Sequence, residues 1–517
     1  MRRHRMRLLL PLLLVGAAPA PAQQPPLRAQ IRQFRQTNEA AIVDEFVEFL
    51  ALPNVATNLE DIRRNADHLR GMMEKRGLRT ESLEVEGGPV SVYGERTFPG
   101  ATKTVVFYAH FDGQPVDSSR WATGAWAPQL LSGPLAPGAR EVPRLKSGGR
   151  YDPETRVFAR SASDDKAPIL ALLWALDALQ AAGITPSVNV KFFFEGEEEA
   201  GSSHLRSVLT KYRSLLGADF WIFCDGPVHQ SRALQAVFGV RGVIGANLTV
   251  YGPIRPLHSG HYGNWAPNPN AMMVHLLASM RDTEGRITIP GYYDAVKPVT
   301  AAERAAFRAM PPVDEQLIGE LQLGRTEAAP ATLADQLALP ALNISGLSGG
   351  QATGGGANVI VAESKAYLDF RLVPNQTPNV VRKLVEAHVQ RLGFHIVRAD
   401  PDSITRRNYP RLIRIDWSGG YSAARTSIDH PGAKALLAAA DQVIGKPLIR
   451  VPTLGGSLPL ADFVDLLQIP FVILPIVNHD NNQHGENENV RLGNLWDGIE
   501  LFAGVLARMG REWQPIP

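Results

Sequence analysis

The side chains in this sequence best suited to chemistry are His110 and Asp112 in "AHFDG", Asp164 and Asp165 in "SASDDKAP", Glu198 and Glu199 in "FEGEEEAGS", Asp225 in "FCDG" and His484 in "HGENE". Most of them follow directly on apolar runs. Carboxylates seldom stand at the end of a buried strand unless something positive meets them there. Two histidines with several carboxylates suit Zn²⁺, Mn²⁺ or Co²⁺, whereas histidine disfavours Ca²⁺ and Mg²⁺. Without cations, gathering these carboxylates would cost on the order of several kcal/mol in repulsion and desolvation. A pair of divalent ions cancels that charge. Cys224 is the only cysteine, which excludes thiolate metal clusters and any intrachain disulfide.

The elements that must carry these groups are legible in the apolar pattern. "TVVFYAH", "VNVKFFFEG", "DFWIFCD" and "PFVILPIVNH" read as buried strands, and "APILALLWALDALQAAGI", closed by Gly183, as a helix. The segment from about Leu27 to Leu52 has helical spacing, at Ile31, Phe34, Ile42, Phe46, Phe49 and Leu50. Continuous apolar strands separated by helices predict an α/β domain with a mostly parallel central sheet covered on both faces. Open sheets of this kind place ligands at the carboxyl ends of their strands, so residues distant in sequence converge on one rim.

Between about Phe238 and His430 the pattern changes to alternation, as in "GVIGANLTVYG" and "ESKAYLDFRLVP", with a helix at "PNAMMVHLLASMRD". An α/β pattern returns at "GAKALLAAADQVIG". The expected organisation is therefore an α/β domain over 27–237 and 431–517, interrupted by an α+β domain over 238–430. Thr300 to Gly350, rich in Ala, Leu and Glu, is expected to be helical. A chain of 517 residues is long enough for two or more cores. Its 53 Lys+Arg against 51 Asp+Glu give no bulk reason to bind nucleic acid. At the N-terminus "MRRHRMR", "LLLPLLLVGAA" and "APA" form a secretory signal over residues 1–22 with cleavage near Ala22, which predicts a secreted, periplasmic protein. No later apolar run is long enough for a membrane span.

Taken together, "AHFDGQPV", "RSASDDKAP", "FEGEEEAGS", "FCDG", "LHSG", "NVIVAESKAYLDFRLVP", "LGGSLP" and "HGENE" resemble, in order, the motifs of the M20 metallopeptidases. That family comprises carnosinase-like dipeptidases, carboxypeptidases and N-acyl-amino-acid deacylases. The resemblance implies His110, Asp164 and Asp225 as ligands of one metal and Asp164, Glu199 and His484 as ligands of the other, with Asp164 as the bridge. It implies Glu198 as general base toward a water held between two divalent ions, most simply Zn²⁺, and Asp112 as the group that orients His110. It also implies a cis peptide at Asp164–Asp165. The inserted domain corresponds to a lid that mediates homodimerisation, with His258 stabilising the oxyanion and Asn358, Arg371 and Ser457 contacting the substrate. An arginine fork suits a free carboxylate, so the expected substrates are dipeptides or short peptides with a free C-terminus.

The sequence departs from the family's common pattern at Ala167 and Ser161, which replace glycines, at Val361, which replaces a proline, and at Gly485, which replaces a serine. No ligand is lost. An N-acyl-amino-acid deacylase shares the same requirements, and an inactive peptide-binding scaffold is the alternative of a different class; retention of Glu198 argues against the scaffold. Single-domain di-zinc aminopeptidases lack an insert such as the one between Asp225 and His484. Glu486 and Glu488 read as hydrogen-bonding groups of the His484 loop, and Cys224 as packing.

Overall fold

The computed structural model describes residues 26–351, 357–456 and 460–514. The larger sheet runs, in spatial order, Arg79–Leu83, Ser91–Arg96, Asn189–Glu195, Thr104–His110, Phe220–Phe223, Phe471–Ile473, Gln235–Val237 and Ile449–Val451. The middle strands, from Asn189–Glu195 to Phe471–Ile473, are mutually parallel. The Arg79–Leu83 and Ser91–Arg96 edge pairs antiparallel, as do Phe471–Ile473 and Gln235–Val237.

Alternation along these strands supplies two apolar faces, because successive side chains point to opposite sides. Val105, Phe107 and Ala109, with Phe192, Phe194 and Ile222, join the core beneath the helices Leu27–Leu50, Lys166–Ala181, Pro431–Ile444 and Leu492–Glu512. Val106, Tyr108, Phe193, Trp221 and Phe223 enter the opposite core beneath Leu205–Lys211 and Leu460–Leu467. Both faces are thus dry, which is why the strands read as continuous apolar runs. Phe107 is fully buried, its ring 5.9 Å from Phe192 and 6.1 Å from Phe502. Phe107→Ala is expected to destabilise the fold by about 3–5 kcal/mol through lost burial and a residual cavity, read as a lower denaturant midpoint.

The second sheet orders its strands Ala341–Ser348, Glu363–Leu372, Gly242–Tyr251, Leu412–Tyr421 and His395–Val397. Helices Pro269–Ala278 and Pro378–Arg391 bury Met273, Leu276, Leu277, Val381, Val385 and Val389 against one of its faces. Where the chain passes between the sheets, Gly239–Val240 pairs antiparallel with Ala424–Arg425. The backbones are close there: a Cβ on Gly242 would lie 2.4 Å from the Tyr421 carbonyl oxygen.

Two expectations are corrected in detail. Thr300 to Gly350 is helical only in part, at Ala301–Ala309, Asp314–Glu320 and Leu333–Leu337, and then forms the edge strand Ala341–Ser348. The run from Phe471 yields a ladder only to Ile473, because Pro475 has no N–H to donate. Among the described residues no helix is long and apolar enough to cross a membrane. The signal segment at residues 1–22 lies outside the described residues.

Candidate active site

The parallel strands deliver their carboxyl ends to one rim. His110 is the last residue of Thr104–His110, Asp225 follows Phe220–Phe223, and Glu198 and Glu199 open the short 3-10 turn Glu198–Ala200 just beyond Asn189–Glu195. Asp164 arrives from the loop before Lys166–Ala181, across a cis peptide bond to Asp165 as the resemblance implies. His484 comes from the loop after Phe471–Ile473 and holds a left-handed φ of 61°. Such a backbone costs a non-glycine residue about 1 kcal/mol or more and marks a position fixed by its surroundings.

One ligand atom from each of His110, Asp164 and Asp225 lies within 4.8 Å of the others, and the same holds for Asp164, Glu199 and His484. Asp164 is common to both groups. Its Oδ1 is 2.9 Å from His110 Nε2, and its Oδ2 makes an ion-pair contact 3.2 Å from His484 Nε2. His484 Nε2 is also 3.2 Å from Glu199 Oε2, which accepts a hydrogen bond of 2.8 Å from Gln114. His110 is fully buried, whereas the His484 side chain is 56% exposed, so the rim is open on the His484 side.

Asp112 does more than the sequence indicated. Its carboxylate sits 3.4 Å from His110 Nδ1 and also accepts the backbone N–H groups of Glu198 at 3.1 Å and Glu199 at 3.0 Å. A single buried carboxylate therefore fixes the His110 ring and the turn that carries Glu198. Its position beside a histidine at a strand end hinted at the first contact; nothing in the sequence hinted at the second.

The electrostatics show how well a cation fits. Burial, and then the charge of Asp164, push Glu199 up to about 7 and Asp225 up to about 6. Burial also raises Glu198 well above the usual carboxylate range. Burial alone would lower His110, but its bonds to Asp112 and Asp164 hold it well above its ordinary value. The hydrogen bond to Asp164 raises His484 to about 9. Divalent cations would compete with protons for the same histidine and carboxylate atoms. Oxygen and imidazole donors without sulfur suit Zn²⁺, Mn²⁺ or Co²⁺. Asp165, at the helix N-cap, makes no capping bond, and both its carboxylate oxygens are buried without a partner. Burial raises it well above the usual carboxylate range.

The residues expected to meet substrate lie on the smaller sheet and its loops. His258 pairs with Val359 in a two-stranded ribbon, and Asn358 accepts the Ser259 N–H at 2.8 Å, so His258 and Asn358 are neighbours. Arg371 lies on Glu363–Leu372 with its Nε donating to Asp369 at 3.0 Å. Ser457 lies outside the described residues.

Acidic and imidazole side chains gathered at the parallel rim of a mixed α/β sheet, with a second sheet inserted in the chain, are the arrangement of a metallohydrolase. The pattern of peptidase family M20/M25/M40 matches residues 106–508, and the chain belongs to that family; it is a metallopeptidase. It is 25% identical to the Beta-Ala-His dipeptidase of Homo sapiens, over 98% of this chain and 97% of that protein. It is 27% identical to the Cys-Gly metallodipeptidase dug1 of Schizosaccharomyces pombe, over 87% of this chain and 89% of that protein. Among solved structures it is similar to the M20 family metallo-carboxypeptidase Sso-CP2 from Sulfolobus solfataricus, with a TM-score of 0.70 and 27% identity over 91% of this chain and 99% of that one.

These comparisons correct the expected localisation. Human and fungal dipeptidases are among the relatives matched over most of the chain, and the secreted, periplasmic placement is withdrawn.

Proposed function

We propose that this metallopeptidase is a two-metal dipeptidase or short-peptidase, most simply with Zn²⁺, acting on substrates that end in a free carboxylate. The observation that carries the reading is that Asp164 belongs to two ligand groups at once, each with one histidine and one further carboxylate. When bound, a pair of divalent cations supplies a lowered water pKa and polarises the scissile carbonyl.

The chain's own residues supply the rest. Glu198, next to a ligand but in neither ligand group, takes the proton of the attacking water and hands it to the leaving amine. Asp112 keeps the base and the His110 ring in one rigid unit, so little reorganisation accompanies the proton transfers. His258 donates to the developing oxyanion. Arg371, its plane set by Asp369, grips the substrate carboxylate together with Asn358. The matched dipeptidases, named for Beta-Ala-His and Cys-Gly, support a dipeptide substrate.

A panel of dipeptides and N-acetyl amino acids, run with metal analysis, tests this reading. Two divalent ions per chain are expected, with dipeptide hydrolysis abolished by a chelator and restored by Zn²⁺. Hydrolysis of the N-acetyl amino acids with the dipeptides untouched would replace the peptidase reading with a deacylase.

We further read residues 238–430 as a lid through which the chain forms a homodimer, with His258 serving the partner's site. His258→Ala is then expected to lower kcat by about 10²- to 10³-fold, the cost of one oxyanion donor. Mixing that variant with Glu198→Gln subunits should restore activity, since one hybrid site carries both groups intact. No recovery under conditions where the subunits exchange would rule out donation in trans.

A further inference from the structure

Glu488 lies four residues beyond His484 and is fully buried. Its Oε2 accepts from Arg160 Nη1 and from the Ser161 N–H, each at 2.9 Å. Its Oε1 accepts from the Ser163 N–H, the Ser163 hydroxyl and the Asp164 N–H, also at 2.9 Å. The chain comes back the same way: Arg160 Nη2 donates to the Gly485 carbonyl at 3.0 Å, and the Glu488 carbonyl accepts the Ala159 N–H at 3.1 Å. Two loops more than 300 residues apart in sequence are thereby joined into one block, one carrying Asp164 and the other His484.

Three of the partners are backbone donors of the very turn that presents Asp164. A carboxylate satisfied by this many donors tolerates burial, and the donors lose their acceptors together if it is removed. The clamp is also flanked by strained backbone on each side. Ser161, in the turn position where the family commonly has glycine, holds φ at 60°, and His484 holds 61°. L-residues resist that region, so something must hold the two turns in register.

We propose that Glu488, with Arg160, is a positioning residue that presets the separation of Asp164 and His484, and so the geometry offered to the second cation. It touches neither substrate nor cation; it acts through the Asp164 backbone and the His484 loop. The proposal rests on the two-metal reading above.

The test is Zn²⁺ affinity, measured by competition with a chromogenic chelator, together with the visible spectrum of the Co²⁺-loaded chain and the melting curve of the metal-free chain. In Glu488→Gln an amide nitrogen faces backbone donors, and Zn²⁺ affinity should fall by about tenfold to a hundredfold, the usual cost of disturbing a group behind a metal ligand. The Co²⁺ bands should shift, and the loss of Zn²⁺ affinity should exceed what any lowering of metal-free melting, expected because buried Arg160 loses its counter-charge, accounts for. Ser163→Ala, which removes one donor and no backbone contact, and Arg160→Lys should give smaller losses in the same direction, and they carry the test if Glu488→Gln does not fold. Wild-type affinity and spectrum in the folded variants, or losses that merely follow lowered metal-free stability, would overturn the clamp. A wild-type chain that binds neither Zn²⁺ nor Co²⁺ would overturn the two-metal reading, and the clamp with it.

Discussion

Glu198→Gln is expected to lower kcat for dipeptide hydrolysis by about 10³-fold or more, within the range that a positioned general base supplies, while the protein keeps its full complement of metal. The two halves of this result have separate structural causes. Metal content is unchanged because neither ligand group includes Glu198, and because the turn that presents Glu199 is held by backbone N–H bonds to Asp112 that the substitution leaves intact. Activity is lost because an amide of the same size cannot accept a proton. The residual rate is what cation polarisation and substrate positioning provide without a base. Measuring kcat, KM and metal content on one preparation separates these contributions. Loss of activity together with loss of one ion would make Glu198 a ligand, and unchanged kcat would remove it from the mechanism.

Much of the frame was legible in the sequence because the central strands are buried on both faces. A strand such as Phe220–Phe223 leaves no polar alternation to blur its apolar run. The helix starting at Leu27 was plain from its apolar spacing, and the one ending before Gly183 from its long apolar run and the left-handed stop at Gly183, where φ is 65°. The edge strand Ala341–Ser348 escaped detection because most of its residues are exposed and its register shifts between Ile344 and Gly346, which destroys the alternation that marks a strand. Gln235–Val237 and Ile449–Val451 are three residues each, too short to carry a period.

The same division runs through the site. His110, Asp225, Glu198 and Glu199 were legible because each follows a strand whose carboxyl end the topology sends to a single rim. The groups that hold them were not. Asp112 as acceptor for the Glu198 turn, Gln114 on Glu199, and Glu488 on the Asp164 turn depend on how loops distant in sequence meet. A glutamate inside "HGENE" looks the same whether it faces solvent or accepts buried donors. Ser161 is the one partial signal: a serine in a glycine position foretells a left-handed residue, and φ there is 60°.

Asp164→Ala is expected to remove both metal ions, whereas Asp225→Ala impairs only the one shared with His110. Asp164 is the member common to the two ligand groups, so its loss takes an anionic ligand from each cation, while Asp225 belongs to one. If each loss resembles breaking a buried ion pair, at about 3–5 kcal/mol, affinity falls by roughly two to three and a half orders of magnitude per ion at about 1.4 kcal/mol per decade. The readout need not involve catalysis. A cation that binds only the folded chain stabilises it by about 4 kcal/mol at a thousand times its dissociation constant, so added Zn²⁺ should raise the melting temperature of wild type. Asp225→Ala should retain part of that rise and Asp164→Ala almost none. The alanine also removes the anion that holds His110 and His484 in place, which makes the loss cooperative. Equal residual Zn²⁺ stabilisation in the two variants would mean that Asp164 does not bridge, and the cluster would then hold two independent sites or a single one.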